Sequence, residues 1–388
     1  MSFAAGPKAL AIPGPSPVPE AVLNAMHHAG ADIYAGPVVE ADLRLRERLK
    51  WLAGTRQNLA TYIGNGHAGW EAATRNMLAP GDKALVITSG GFGEGWAQMA
   101  RELGAVVEEL PQPRDAAPDP AALAARLAQD TGHEIRAVLI AQVETTTGIL
   151  ADIPAMRRAM GEHPALLAVD AIASMGCEPL EMDAWGVDVI VAASQKGLMA
   201  PPGVGLVWFS DRADSRTRAA GPYWDWRPRE HQPELWRHWG GTPPVHSIWA
   251  LDAALALIEA EGKPALYARH AGLARAVWAA FGAWEAGNPA IRCRVADPAG
   301  RAHSVTAAFL PGSNALRAWC EDKAGVTLGV GLGLADPDTG LRLGHMGAAS
   351  AHMILGVLAV MEAGLTALDI PHGPGAVEAA ARVIAELA

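Results

Sequence analysis

The sequence predicts an α/β protein, with a mainly parallel sheet in a large domain and a smaller α+β domain at the C-terminal end. From residue 59, apolar strand-like runs alternate with helical patterns over about 150 residues, which is typical of right-handed crossover units. The length of 388 residues exceeds one ordinary domain. We therefore expect an N-terminal arm over residues 1–18, a large domain over 19–260 and a small domain over 261–388.

The chain opens on a segment that cannot be helical. From Pro13, every second residue up to position 19 is a proline, and prolines remove backbone donors and push the preceding residue toward extended conformations. We expect an extended arm laid over the surface. Helices are predicted next over 19–26 and 38–52, the second with an apolar stripe, and the loop 31–37 lies between them.

The alternating region consists of apolar runs of strand length, with helical patterns between them. The predicted strands are 59–63, 84–87, 106–110, 137–141, 166–169, 189–193 and 204–209. The predicted helices between them are 67–78, 93–103, 120–127 and 153–160. A helix over 246–261 leads into the last third, where we predict helices over 265–281, 314–323 and 350–365 and strands over 302–309 and 341–344.

Tryptophans interrupt this rhythm between residues 221 and 249. Their large side chains are found both in cores and at subunit interfaces, so the segment predicts either a satellite core or an interface. The tryptophans are Trp224, Trp226, Trp236, Trp239 and Trp249.

Composition excludes several classes of partner. The formal net charge of -10 argues against nucleic acid and anionic membranes, which are polyanions. No apolar run reaches the length of a membrane span, and residues 353–361 predict a buried helix. The cysteines, Cys177, Cys293 and Cys320, have neither a disulfide-like nor a metal-like spacing. We expect a cytoplasmic protein without a metal site.

Lys196 is the first candidate for chemistry. It follows the apolar run 189–193, with Gln195 before it and a glycine- and proline-rich turn after it. A lysine taken at random is usually a solvated surface residue. A strand of a parallel sheet, however, ends at a ligand crevice, where a partly desolvated amine loses pKa and becomes a nucleophile.

Asp170 closes the apolar strand 166–169. By itself it is more readily explained as a helix cap. Because Asp170 and Lys196 both stand at the carboxyl ends of predicted parallel strands, we expect both to face one crevice. A carboxylate there could keep a pyridinium nitrogen protonated.

Three further turns follow predicted strands. Asn65-Gly66-His67 opens a helix and could offer backbone amides to a phosphate, although Asn-Gly is also a hairpin signal. The Glu144–Gly148 turn could point its hydroxyls into the crevice or bond its own backbone. Phe92 lies among glycines, where core packing is the ordinary role.

Together the motifs resemble one family, the class V aminotransferases of the alanine/serine:glyoxylate type. The resemblance runs from the Pro-Gly-Pro arm to the final helices. It rests on Ile63-Gly-Asn-Gly-His-Ala-Gly-Trp-Glu-Ala-Ala73, Glu144-Thr-Thr-Thr-Gly148, Ala168-Val-Asp-Ala-Ile-Ala-Ser-Met-Gly176, Ser194-Gln-Lys-Gly-Leu-Met-Ala-Pro-Pro-Gly203 and Leu341-Arg-Leu-Gly-His-Met-Gly347.

The resemblance implies fold type I, pyridoxal 5′-phosphate as cofactor and a homodimer with shared active sites. Lys196 would form the Schiff base with the cofactor, and Asp170 would pair with its ring nitrogen. The remaining cofactor contacts would come from Ile172 and Phe92 on the ring faces, Thr146 at the ring oxygen, Asn65, Gly66, His67 and Gln195 around the phosphate, and the partner's segment 239–242.

Arg342 matches the family arginine that binds the substrate carboxylate. Two positions depart from the family: Trp239 stands where a tyrosine hydroxyl is frequent, and Asp32-Ile-Tyr-Ala35 replaces an arginine-containing loop, which makes Tyr34 a candidate substrate contact. Trp239 and Thr242 stay candidate phosphate contacts.

The resemblance implies a transaminase that moves the amino group of alanine or serine to glyoxylate or pyruvate by a ping-pong mechanism. The alternatives are a pyridoxamine:pyruvate transaminase, a cysteine desulfurase, and a non-catalytic binding module of the same fold. No cysteine lies in a candidate catalytic loop, which disfavours the desulfurase.

Overall fold

The computed structural model describes residues 2–230 and 232–387. Its strands are β1 Ala9–Ala11, β2 Asn58–Gly64, β3 Lys83–Thr88, β4 Val106–Pro111, β5 Ile135–Ala141, β6 Val143–Glu144, β7 Ile149–Leu150, β8 Leu166–Asp170, β9 Val189–Ala193, β10 Gly203–Phe209, β11 Arg292–Cys293, β12 Val305–Phe309, β13 Val326–Val330 and β14 Gly340–Gly344.

Every predicted helix is present. The α-helices are α1 Glu20–Ala25, α2 Pro37–Ala53, α3 Gly66–Met77, α4 Gly91–Glu102, α5 Pro120–Ala128, α6 Ile153–Ala159, α7 Met182–Trp185, α8 Asp211–Asp214, α9 Leu235–His238, α10 Val245–Glu261, α11 Lys263–Gly287, α12 Ser313–Ala324, α13 Ala351–Ala367 and α14 Ala376–Leu387. Helix α11 is longer than predicted at both ends, and the short helices α7, α8 and α9 and the last helix α14 were not predicted. Short 3-10 helices cover Pro298–Gly300 and Pro337–Thr339.

Seven strands of the described chain form one sheet in the order β2-β10-β9-β8-β5-β3-β4. Strands β3, β4, β5, β8 and β9 pair in parallel, whereas β10 is antiparallel to both of its neighbours. The sheet is therefore mainly parallel, and the predicted fold class is confirmed. Each strand predicted between 59 and 209 lies in it, within two residues of its observed bounds.

Helices cover both faces of this sheet. On one face, α2 and α10 contribute Leu45, Leu49 and Leu251 to a large apolar core. On the other, Trp70 of α3 and Trp96 of α4 stack with their ring centroids 5.9 Å apart. Burial on both faces explains why the central strands are continuous apolar runs and do not alternate.

The tryptophan-rich segment contributes to the core and to the surface. Trp226 and Trp239 are fully buried, and Trp226 stacks on Phe209 with ring centroids 4.4 Å apart. Trp236, in contrast, is 39% exposed. The satellite-core interpretation therefore holds for two of these residues, while Trp236 adds an aromatic ring to the surface.

A second sheet of the described chain has the order β1-β13-β14-β12-β11. Strand β1 of the N-terminal arm pairs in parallel with β13, and helices α11 to α14 cover the sheet with apolar side chains. The arm does more than lie over the surface, because residues 9–11 form an edge strand. The sequence analysis predicted neither β1 nor β13.

The cysteines Cys177, Cys293 and Cys320 are buried and unpaired. None of the helices in the described chain is long and apolar enough to cross a membrane.

Candidate active site

The parallel strands bring several loops to one edge of the large sheet. Strands β8 and β9 are neighbours and end at Asp170 and Ala193. Lys196 follows three residues after Ala193, and each of Lys196 and Asp170 shifts the pKa of the other through its charge. The two residues predicted to share a crevice are therefore close in the folded chain.

Lys196 has the properties of a nucleophilic amine. Burial lowers its pKa to about 8, and the positive charge of Arg342 acts in the same direction, while Asp170 opposes both. The Nζ atom donates a hydrogen bond to the carbonyl of Pro13 in the arm. A fraction of this amine is thus unprotonated near neutral pH.

The arm fixes the turn that carries Lys196. Ser16 donates from its backbone N–H to the carbonyl of Gln195 at 2.9 Å and from its hydroxyl to the carbonyl of Lys196 at 2.7 Å. Gly14 has a φ of +104°, and a Cβ there would lie 2.5 Å from Nζ of Lys196. The close approach of arm and lysine therefore requires glycine at this position.

Asp170 is a buried carboxylate, 4% exposed. It accepts hydrogen bonds from the backbone N–H of Ile172 at 2.7 Å and from the indole N–H of Trp70 at 3.1 Å. Burial raises its pKa to about 7, and the negative charge of Glu144 adds to this effect, while the two hydrogen bonds and Lys196 oppose it. Within the described residues Asp170 forms no ion pair, so a cationic ligand group would relieve the cost of its charge.

The turn after β6 places Thr146 next to the start of helix α4. The Thr146 hydroxyl donates to Glu144 at 2.8 Å and accepts from the backbone N–H of Gly91 at 3.0 Å. Phe92, in the first turn of that helix, is half-buried. The predicted ring contacts Phe92 and Thr146 are therefore neighbours, joined through Glu144.

The predicted phosphate contacts lie at the start of helix α3. Asn65 caps this helix by accepting from the backbone N–H of His67 at 3.0 Å. A Cβ on Gly66 would lie 2.4 Å from Cδ1 of Ile172, so a larger residue here would push aside the side chain of the predicted ring contact. The side-chain oxygen of Gln195 is buried and has no hydrogen-bond partner among the described residues, as expected of a group that binds a ligand.

The two predicted contacts to a partner's phosphate differ. The indole N–H of Trp239 donates to Asp42 at 2.8 Å inside the core, so it has no proton left for a ligand. Thr242 is exposed. We therefore keep Thr242 as a candidate and assign Trp239 to the core.

Arg342 lies on β14 and is 9% exposed. Its Nε donates to the carbonyl of Val330 at 2.8 Å, and its Nη1 donates to the carbonyl of Thr145 at 3.2 Å. Burial lowers its pKa to about 10, and Glu144 counteracts this shift. The Nη2 atom has no hydrogen-bond partner within residues 2–230 and 232–387 and is free for an anion.

Tyr34 remains apart from these groups. Its side chain is 77% exposed, and its backbone N–H donates to Asp32 at 2.8 Å. The structure shows no contact between Tyr34 and the other candidate site residues of the described chain.

Several site residues escaped the sequence analysis. Trp70, Pro13 and Glu144 all touch candidate residues, and Arg294 donates to the carbonyl of Thr146 at 3.3 Å. Trp70 had a visible signal, because it lies one helical turn after Gly66 on the helix that opens the site. The contacts of Pro13 and Arg294 join distant parts of the chain and leave no local pattern.

Comparison with known proteins identifies the family. Residues 10–316 match the family model for class-V aminotransferases. This chain is a class-V aminotransferase.

Similar proteins include an L-aspartate–glyoxylate aminotransferase of Paracoccus denitrificans, 34% identical and aligned over 96% of this chain and 94% of the relative. A serine–glyoxylate aminotransferase of Methylorubrum extorquens is 32% identical over the same shares of the two chains. Among solved structures, pyridoxamine-pyruvate aminotransferase of Mesorhizobium loti superimposes over 100% of both chains with a TM-score of 0.89 and 26% identity.

Membership in this family means that the aminotransferase transfers amino groups between amino acids and oxo acids with pyridoxal 5′-phosphate. The residues of this chain fit the cofactor. The unpartnered oxygen of Gln195 and the buried carboxylate of Asp170 lie on neighbouring turns, where a polar, partly cationic group would satisfy both. The close packing of Gly66 on Ile172 shapes the space between them.

Proposed function

We propose that this aminotransferase moves the amino group of a small amino acid, alanine or serine, to glyoxylate or pyruvate in two half-reactions. The observation that carries the proposal is the position of Arg342. Its positive charge lowers the pKa of Lys196, so the two side chains are close, and its Nη2 atom has no hydrogen-bond partner among the described residues. One charge-assisted clamp of this kind suits a substrate with one carboxylate.

The roles of the chain's own residues follow from their surroundings. When bound, the cofactor supplies an electron sink for the bond broken at the substrate Cα. Lys196, partly unprotonated at neutral pH, would take and return the Cα proton. Asp170 would hold the ring nitrogen, and Ile172 and Phe92 would flank the ring. The Pro13 carbonyl accepts from Lys196 and would hold its amine close to the site.

Glyoxylate as acceptor has support from the relatives whose names contain it. One of those names also contains aspartate, a donor with two carboxylates. In this chain the next arginine, Arg294, donates to the carbonyls of Thr146, Leu332 and Gly333 at 3.2 to 3.4 Å. These carbonyls use three of the five N–H groups of Arg294 and leave it fewer donors for a second carboxylate, so we place alanine and serine ahead of aspartate.

The second candidate is a pyridoxamine:pyruvate transaminase, favoured by the structural similarity to the enzyme from Mesorhizobium loti. Free pyridoxamine carries no phosphate. The glycine-opened start of α3 suits a bound phosphate, whose charge the helix N-terminus would stabilise. This favours the first candidate.

A donor and acceptor panel tests the proposal. The loaded enzyme is mixed with alanine, serine, aspartate, glutamate or pyridoxamine, and the spectral change of the first half-reaction is followed. We expect alanine or serine to react fastest, and glyoxylate or pyruvate to restore the starting spectrum faster than 2-oxoglutarate. Fastest reaction with aspartate or glutamate would contradict the small-donor proposal, and fastest reaction with pyridoxamine would favour the second candidate.

The Arg342→Ala variant tests the clamp in the same panel. Loss of a charge-assisted contact worth roughly 1.5–3 kcal/mol should lower kcat/KM about 10- to 150-fold. Arg317→Ala is the matched control, because Nε of Arg317 also donates to a β13 carbonyl, that of Leu328 at 3.2 Å. An unchanged kcat/KM in Arg342→Ala would remove this residue from the substrate site.

We propose that the enzyme is a homodimer with shared sites. Tyr34, Ile63 and Trp236 are large, exposed apolar residues, 77%, 45% and 39% exposed, and Ile63 lies two residues before the phosphate turn. Exposed aromatic residues are enriched at subunit interfaces. A monomer in light scattering at micromolar concentration would contradict the proposal.

We also propose a cytoplasmic location, supported by three buried cysteines that are not paired. Fractionation of the source cells tests it, and recovery of the activity outside the cytoplasmic fraction would contradict it.

A further inference from the structure

Glu144 is a charged residue for which no role was predicted. It is 1% exposed and ends the short strand β6. In the described chain, no lysine, arginine or histidine nitrogen lies within ion-pair distance of its carboxylate. A carboxylate buried without an ion-pair partner is costly unless hydrogen bonds stabilise its charge.

Four hydrogen bonds do so. One carboxylate oxygen accepts from the backbone N–H groups of Phe92 at 3.0 Å and Gly93 at 3.1 Å. The other accepts from the backbone N–H of Thr146 at 3.0 Å and from its hydroxyl at 2.8 Å. The first pair belongs to the N-terminal turn of helix α4, where the helix dipole also favours a negative charge. Glu144 therefore joins the two loops that carry Phe92 and Thr146.

Glycine allows the two loops to approach. A Cβ on Gly90 would lie 2.4 Å from the Thr146 hydroxyl oxygen and 2.6 Å from Cγ of Glu144. The backbone N–H of Gly91 then donates to the same hydroxyl at 3.0 Å. Gly90, Gly91 and Glu144 together leave Phe92 and Thr146 little freedom to move independently.

The arrangement suits a carboxylate. Three of the four partners are backbone N–H groups, which can only donate, and each carboxylate oxygen accepts from at least one of them. A glutamine would point its NH₂ group at one or two of these backbone donors, depending on its orientation. An unsatisfied buried donor costs about 1–3 kcal/mol.

We propose that Glu144 is a positioning residue for amino transfer: as a carboxylate it holds Phe92 and Thr146 in place at the cofactor site. The inference rests on the placement of Phe92 and Thr146 in that site, and it holds for any amino donor. Glu144 touches neither Lys196 nor Asp170, but its charge acts on the pKa of Asp170 and of Arg342. Glu144 therefore influences the site in two ways: its hydrogen bonds hold the loops of Phe92 and Thr146, and its charge acts on Asp170 and Arg342.

The test compares Glu144→Gln with Asp188→Asn. Asp188 is also a buried carboxylate with several donors, the Leu167 N–H, the Ser210 hydroxyl and Arg212, but it precedes β9 at the opposite edge of the sheet. Both variants lose one charge and leave donors unsatisfied. Asp188→Asn also breaks the ion pair with Arg212, so it should lose at least as much thermal stability as Glu144→Gln, and a change in the site that occurs only in Glu144→Gln reports the position of Glu144.

The readouts are the visible circular dichroism of the bound cofactor, which reports its orientation, and separate kcat and KM values for the best donor. We expect Glu144→Gln to change the dichroism and to lower kcat about 10- to 100-fold with KM within about threefold, because misplacement by about 1 Å has this effect on rate. Asp188→Asn should retain both properties. Wild-type dichroism and kcat in Glu144→Gln would overturn the inference.

Glu144→Asp covers the case in which Glu144→Gln does not fold. It keeps the charge but is one methylene too short to reach both loops, so we expect a smaller change of dichroism in the same direction. Wild-type dichroism and kcat in this variant would also overturn the inference. If none of the proposed donors reacts, the dichroism still reports on Glu144, so failure of the proposed function and failure of this inference remain distinguishable.

Discussion

At the scale of single residues, burial moves the pKa values of the two central groups toward each other. The pKa of Asp170 rises to about 7 and that of Lys196 falls to about 8. In both cases burial outweighs the attraction between them, which would act in the opposite direction. Both groups can therefore change charge near neutral pH, the range in which a proton-transferring site operates.

Asp170→Asn should keep the cofactor but lose most of the activity. A neutral amide cannot stabilise a cationic ring nitrogen, and loss of such a preorganised electrostatic contact costs on the order of 10²-fold in rate. Cofactor content by absorbance and kcat for the best donor measure the two effects. Turnover close to that of the wild type would remove Asp170 from the mechanism.

The cofactor-free protein should show the raised pKa of Asp170 in its stability. Because the folded state holds this proton up to about pH 7 and the unfolded state only to about 3.8, the contribution of Asp170 to stability is fully present at low pH. It decreases as the pH rises toward 7 and is lost above it.

Urea unfolding at pH 5 and pH 8 measures this effect. The Asp170→Asn variant has no ionisable group at this position. From pH 5 to pH 8, its free energy of unfolding relative to that of the wild type should therefore increase by on the order of 2 kcal/mol. Equal differences at both pH values would show that Asp170 has an ordinary pKa.

At the scale of elements, the arm and the second sheet build one side of the site. A Cβ on Gly344 would lie 2.1 Å from the carbonyl oxygen of Ile12, and a Cβ on Gly329 would lie 2.7 Å from Pro13. These glycines let the arm lie directly on β13 and β14. Gly344, one of the two, is two positions after Arg342 on β14. The same arm segment then reaches Lys196 through the Pro13 carbonyl.

Gly344→Ala should displace the arm and with it the partner of Lys196. Overpacking against backbone costs about 1–3 kcal/mol in stability, and we expect kcat/KM to fall about 10-fold or more through misplacement. Steady-state kinetics and limited proteolysis of the arm measure the two effects.

Gly356→Ala is the control for this substitution. It is a helical glycine with nothing within 4 Å of a Cβ, so the added methyl group should leave kcat/KM unchanged and raise stability by up to about 1 kcal/mol. If Gly344→Ala behaves like this control, the arm is not part of the site.

At the scale of the whole molecule, the site lies where the large sheet, the arm and the second sheet meet, and part of it is open. Thr242 is exposed, as are His67 and Asn65 at the start of α3. Three of the candidate phosphate contacts thus reach solvent in the single chain. A second copy that covered this surface would bury them, which motivates the proposed shared site.

Mixing of two inactive variants tests the shared site. In Lys196→Ala the amine is absent, and in Thr242→Asp a negative charge would repel the partner's phosphate. Each mixed dimer would contain one site with both residues intact. With random mixing of equal amounts, half of the dimers are mixed, so about a quarter of wild-type activity should return. Mixed dimers isolated by two affinity tags that show no activity would contradict the shared site.

Local sequence patterns predicted the strands of the large sheet and the candidate residues at their ends. The central strands are continuous apolar runs, and Asp170 and Lys196 follow two of them, so the meeting of these residues at one sheet edge was predictable from the sequence. The same applies to the glycine-opened start of α3. These predictions depend on the spacing of apolar residues and on the glycines and prolines that end a segment, both of which are visible in short stretches of sequence. They also use the rule that the carboxyl ends of parallel strands meet at one edge of the sheet.

The antiparallel direction of β10, the pairing of β1 with β13 and the burial of Trp239 against Asp42 were visible only in the folded chain. The same is true of the surroundings that shift pKa values: Arg342 donates to Thr145, 197 positions earlier, and Lys196 to Pro13, 183 positions earlier. Contacts between such distant positions leave no period in the sequence. Desolvation depends on everything packed around a group, so the raised pKa of Asp170 and the extent of the decrease for Lys196 became predictable only once the chain was folded.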